Sequence, residues 1–228
     1  MSCISINQPA YLPWLGYFER IKNSDIFIFL DSVQFEKNSF INRNKIKTPQ
    51  GSTWITVPII KSRSFPEIKE VIIDTNKKWK KKHLNSIYFN YKKAKHFEKC
   101  FAKLENLYSK DHKYLADLCY DHLLFWLDEL DITTTIVRSK DLYIQSRKSD
   151  LILDICKHFN VKKYISGEKG KDYLIDYDFK LEGISIEYQN FEYPKYEQLW
   201  GEFLPNMSIL DFWMNTDQYN LIWQNKQR

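Results

Sequence analysis

A few short stretches carry the side chains best suited to holding an anion. Asn7-Gln8 sets two amides ahead of Pro9, and Asp31-Ser32-Val33-Gln34 supplies a carboxylate, a hydroxyl and another amide. Lys37 follows closely, and Asn42-Arg43-Asn44 flanks a guanidinium with amides. A guanidinium is a planar fork that matches phosphate or carboxylate, whereas lysine acts as a point charge. A carboxylate among them can serve as general base or grip a sugar hydroxyl. Asp31 and Lys37 are therefore the catalytic candidates. Gln8, Gln34, Asn42, Arg43 and Asn44 are candidates for binding substrate. Arg138-Ser139 offers a second cation and hydroxyl, and Ser166-Gly167 with Gly170 could turn backbone N–H groups towards a phosphate ahead of Tyr173. Tyr11 and Trp14 could stack on a base or a sugar ring. Each has a plainer reading too: Asp31 as a loop cap, Arg43 in a surface ion pair, Tyr11 and Trp14 as core.

Strands and helices must bring these stretches together. Residues 4–7 alternate apolar and polar, Pro9 and Pro13 punctuate a tight loop, and 14–21 has helical spacing. Residues 26–30 form an unbroken apolar run, as in a strand buried on both faces. The result is a βαβ unit. Further strands are expected at 54–60, 68–74, 133–137, 163–165 and 183–188. The stretch from about 76 to 131 reads as helical throughout, with Asp111 capping its later part, and 150–159 is helical. Ser208 with Asp211 reads as a capping box at the last helix. The pattern predicts an α/β fold: a Rossmann-like, mostly parallel sheet that starts with a βαβ unit, with a long helical insertion or flanking layer. One domain over residues 1–228 is expected. In a parallel sheet, Asn7-Gln8, Asp31–Gln34, Arg138-Ser139 and Ser166-Gly167 share the carboxyl edge, where such folds bind ligands.

Composition excludes several classes. The chain has 228 residues, 43% of them hydrophobic and 28% charged, which suits a folded, water-facing protein. No apolar run reaches the roughly 20 residues of a membrane span, and no export signal is evident, so a cytoplasmic location is expected. The four cysteines and five histidines match no metal-ligand spacing, and no metal or cofactor is indicated. G-x-G-x-x-G and G-x-S-x-G are absent. The net charge of +5 is concentrated in Lys77–Lys82 and around Lys92-Lys93-Ala94-Lys95. Those lysines are either a solvated helix face or an attraction for an anionic partner such as RNA.

Gln8-Pro9-Ala10-Tyr11-Leu12-Pro13-Trp14-Leu15-Gly16-Tyr17-Phe18, Asp31-Ser32-Val33-Gln34-Phe35 and Asn42-Arg43-Asn44 together resemble the WbqC-like family. The likeness continues in Ile165-Ser166-Gly167 with Tyr173-Leu174, and in Phe203–Asp211. The resemblance implies a bacterial protein of O-antigen or other surface-polysaccharide (lipopolysaccharide) biosynthesis. A transferase is the expectation, acting on a nucleotide-linked amino sugar, with N-acyl or aminoacyl transfer fitting such a pathway. Its partners would be an anionic small molecule and an acyl donor or charged tRNA. The alternatives are a binding or scaffolding protein that uses the same cleft, or a relative of the HIGH-motif nucleotidylyltransferases. Pro13 or Trp14, and Tyr17, stand where those enzymes place histidines, so their chemistry would be altered.

Overall fold

The computed structural model describes residues 2–62 and 65–223. Strands β1 (Cys3–Asn7), β2 (Ile26–Phe29), β3 (Arg43–Thr48), β4 (Gly51–Thr56), β5 (Thr135–Arg138), β6 (Lys163–Ser166) and β7 (Ser185–Tyr188) alternate with helices. These helices are α1 (Leu15–Lys22), α2 (Trp79–Tyr91), α3 (Phe97–Ser109), α4 (Leu115–Glu129), α5 (Lys148–His158), α6 (Asp176–Leu181) and α7 (Ile209–Asn215). Five strands form one sheet in the order β5-β2-β1-β6-β7, every pairing parallel. Ser5 lies between Phe27 and Ile165, and Phe29 pairs with Arg138.

The alternation of side chains explains why both faces are covered. Ile4, Ile6, Ile28 and Leu30 point to a core shared with Leu151, Ile152 and Ile155 of α5 and Phe179 of α6. Phe27 and Phe29 point the other way, into a larger core with α1, the hairpin, α2, α3, α4 and α7. Ser5 faces that second side, and its hydroxyl is satisfied by Ser24 Oγ at 2.8 Å. Helix α1 is buried from Leu15 to Ile21, Glu19 and Arg20 included. Its outer side is covered by the chain after β7, where Gln189 Nε2 donates to Gly16 O at 2.7 Å.

Several local expectations change. The helical stretch is three helices, and the insertion between β2 and β5 begins with the antiparallel hairpin β3–β4. Asn42-Arg43-Asn44 leads into that hairpin. Residues 54–60 leave β conformation after Thr56. Residues 68–74 form a 3-10 turn at Ile68–Glu70, with isolated bridges at Ile72 and Ile73. Asp111 does not cap α4: it is exposed and paired with Lys80, at 2.7 Å, while Tyr114 holds the cap position. Ser208 precedes α7, but its hydroxyl has no partner. Asp211 is instead buried, accepting from Tyr91 Oη at 2.9 Å, Tyr196 Oη at 2.7 Å and Gln198 Nε2 at 2.7 Å. Burial raises its pKa, and these three donors work against the shift.

Candidate functional site

Counting only the strands of the parallel sheet, the order runs 3-2-1-4-5, so the winding reverses between β1 and β6. At such a reversal the following segments leave in opposite directions and open a crevice at the carboxyl edge. A cavity of about 620 Å³ lies there. Asn7 and Gln8 enter it from β1, Ser166 and Gly167 from β6, and Lys148 from the first turn of α5. That volume suits a small molecule.

Arg20 of α1 also lines the cleft, although its residue is only 4% exposed. Its Nε has no hydrogen-bond partner. Among the described residues no carboxylate is paired with it; Tyr164, Tyr17 and Tyr173, then Glu19, act on it electrostatically. Burial lowers its pKa. Arginine nevertheless stays protonated in proteins, so a desolvated cation faces the crevice. The glycines opposite make room for it. A Cβ on Gly167 would lie 2.4 Å from Arg20 Nη1, and one on Gly170 would lie 1.9 Å from Ser166 Oγ. Side-chain-free backbone at both points lets guanidinium and hydroxyl close on the turn.

Lys148 and Lys169 add two further cations, and Glu36 and Asp172 are carboxylates in the same wall. Lys148 opens α5 with a φ of +53°, in the left-handed region that residues with a Cβ seldom occupy. Burial raises the pKa of the Tyr173 and Tyr164 hydroxyls. Among the described residues, no group of three or more His, Cys, Asp and Glu is placed to hold a metal ion. The arrangement can bind an anion against Arg20 and orient what is attached to it with amides and hydroxyls.

The model of the WbqC-like protein family matches residues 8–221. The chain belongs to the WbqC-like family. Uncharacterized protein Rv1507c of Mycobacterium tuberculosis (strain ATCC 25618 / H37Rv) is 34% identical over 218 residues, covering 94% of each chain. No solved structure matches.

The candidate site residues read from the sequence divide between two cavities and the frame. Gln8, Trp14, Ser166, Gly167 and Tyr173 line the crossover cleft. Gln34, Lys37, Asn42 and Arg43 line a second cavity, of about 1090 Å³. Tyr11, Asp31, Asn44, Arg138 and Ser139 line neither of these two. Asp31 is fully buried, and its carboxylate accepts from Arg138 Nε at 2.8 Å, Lys140 N at 3.0 Å and Ser139 Oγ at 3.2 Å. Arg138 also reaches Asp117 at 2.7 Å. Burial acts to lower the Arg138 pKa, but the bonds to Asp117 and Asp31 outweigh it and raise the value overall. Ser139 Oγ further accepts from the backbone N–H of Asp31 at 2.9 Å. These contacts tie the ends of β2 and β5 together.

Asn44 is buried, with Nδ2 donating to Leu12 O at 2.6 Å, so it fastens the Pro13 loop to the hairpin. Asn42 Nδ2 donates to Val57 O at 2.9 Å. Tyr11 is buried with its hydroxyl on His83 Nδ1 at 2.9 Å and on the Tyr108 hydroxyl. Arg20, Lys148 and Lys169 were not visible as site residues in the sequence. Nothing local marks Arg20, because its partner across the cleft is a glycine on a distant strand. Lys148, beside Arg147, reads like any basic helix start.

Proposed function

We propose that this WbqC-like protein is a group transferase of surface-polysaccharide biosynthesis whose crossover cleft holds the phosphates of a nucleotide-linked sugar. The observation that carries the reading is Arg20: a buried guanidinium without a carboxylate partner among the described residues, facing the crevice where α/β folds bind ligands. Burying such a charge costs free energy unless something pairs with it, and a bound phosphate supplies that pairing. Lys148 and Lys169 would meet the remaining charge, while Asn7 and Gln8 are placed for sugar or base. Glu36 and Asp172 are the carboxylates in the wall, so they replace Asp31 as candidates for a general base. The pathway and the transfer of an acyl or aminoacyl group to a sugar amine rest on the family resemblance, not on a residue.

The test is calorimetric titration of the protein with UDP, GDP, CDP, dTDP and inorganic pyrophosphate. One or more nucleoside diphosphates should bind, and Arg20→Met should weaken that binding by about tenfold to 150-fold, the range for a hydrogen bond to a charged group. Absence of binding by every probe at millimolar concentration overturns the reading. For a ligand that binds, incubating its nucleotide sugars with acyl donors and reading the products by mass spectrometry tests the transferase assignment. Ligand binding without any product would favour a binding protein.

A further inference from the structure

The second cavity lies beside the first, and Glu36 lines both. An aromatic ledge also joins them. Trp14 and Phe40, in the wall of the crossover cleft, have ring centroids 5.6 Å apart, and Phe40 is 5.6 Å from Trp54. Arg43, in the wall of the second cavity, lies over Trp54 with its Cζ 4.3 Å from the ring centroid. The indole and Asn38 O, which accepts from Nη2, fix the plane of the fork. Its Nε has no partner among the described residues. This is a positioned cation rather than a freely solvated one.

Phe35, Ile59, Ile60, Phe65 and Val71 give the lining a large apolar part. Phe65 and Ile60 are exposed at 80% and 53%, so uncovered apolar surface stands at the cavity. Lys37 and Lys61 are further cations; Glu36 and Glu70 are the opposing carboxylates. Glu70 is already engaged, accepting from its neighbour Glu67 N at 3.1 Å. Apolar lining together with a stacked guanidinium complements an apolar chain or ring that ends in a carboxylate.

We infer that the Arg43 cavity is a second ligand site, taking an apolar carboxylic acid or the acyl part of a larger carboxylate-bearing ligand next to the phosphate cleft. It rests on the proposed function only for the identity of its neighbour, and the experiment separates the two. Hexanoate and hexanamide have the same chain and differ in charge. Titrated against the full chain by saturation-transfer difference NMR, hexanoate should bind at least about tenfold more tightly than hexanamide. Arg43→Gln should erase that preference, Arg43→Lys should keep part of it, and Arg20→Met should leave it intact. Thermal melts of each variant check folding. Equal binding of the two probes, no binding of either, or a preference that survives Arg43→Gln overturns the inference. So does a preference lost with Arg20→Met, which would place hexanoate in the first cleft. UDP titrated into the same proteins is the separate arm: if UDP does not bind but the hexanoate results hold, the phosphate reading falls and the second site stands.

Discussion

Two arginines, Arg20 buried and Arg138 half-buried, separate two parts of this molecule. Arg138 sits at the end of β5 with Asp31 and Asp117 for partners, and Ser139 and Lys140 complete the Asp31 carboxylate. Arg20 sits at the crossover between β1 and β6 with, among the described residues, neither a carboxylate partner nor a bond to Nε. Both are desolvated, yet only the first is compensated within the protein. A compensated charge holds neighbouring strands in one arrangement; an uncompensated one keeps its attraction for something that arrives. The larger core repeats the contrast with histidines. His83 is bonded to Tyr11 Oη and, at 3.1 Å, to Thr56 O, whereas neither ring nitrogen of buried His122 has a partner among the described residues.

The comparison breaks hardest at Arg138. Arg138→Met leaves the Asp31 carboxylate buried without its cation and should cost about 3–5 kcal/mol of stability in chemical denaturation. Nucleoside diphosphate binding by the folded fraction should be unaffected. A loss below about 1 kcal/mol would make the pair incidental.

Acid should expose the histidines next. Burial lowers the His83 pKa to about 4 and the His122 pKa to about 3, while the unfolded chain takes up these protons near 6.5. Because the unfolded state then binds more protons, the contribution is fully present above about pH 6.5 and is lost as pH falls towards 4 and then 3. His83 accounts for about 3 kcal/mol over that window. His83→Gln should flatten that part of the curve when denaturation is followed from pH 7 to pH 4. A curve unchanged by the substitution would show that His83 is not the group responsible.

Arg20→Met sharpens the contrast because it should separate stability from binding. Removing an unpaired buried charge while keeping an apolar stem should leave the melting temperature unchanged or higher. The same variant should lose about 1.5–3 kcal/mol of nucleoside diphosphate affinity. A large drop in melting temperature would place Arg20 with Arg138 as a frame residue. The smallest effect belongs to Arg43→Lys, which should change stability by about 0.5 kcal/mol, as at a half-exposed position. Thermal melts beside the hexanoate titration measure it.

What could be read from the sequence follows from how each signal arises. Residues 26–29 are all apolar because the strand is covered on both sides, and that run is visible without any partner. Arg43–Thr48 resembled loop because RNKIKT buries Asn44, Ile46 and Lys47 through contacts made elsewhere: Asn44 on the Pro13 loop, Lys47 Nζ on Gln198 and Glu202. The carboxyl-edge positions of Gln8, Ser166 and Gly167 were legible once parallel strands were assumed. Arg20 was not, since LGYFERIK reads as an amphipathic helix and the cover over its polar side comes from residues beyond 188. Asp31 misled in the opposite sense. Its place at a strand end suggested an open site, but Arg138, on a strand over a hundred residues later, occupies it.

The pairing of β1 with β6 bears on the order of events during synthesis. Ile165 is made 160 residues after its strand partner Ser5. Gly167, against which Arg20 lies, follows only after the hairpin and the three helices of the insertion. At about 5–20 residues per second, the β1 edge waits on the order of ten seconds for β6. Until then α1 carries a cation with one wall of its cleft missing, and β1 presents an unpaired edge. Chains halted before residue 163 should therefore have no nucleotide site, however well their first strands pair. A ligand that bridges Arg20 and the Gly167 turn would act as a late staple between the two halves of the sheet.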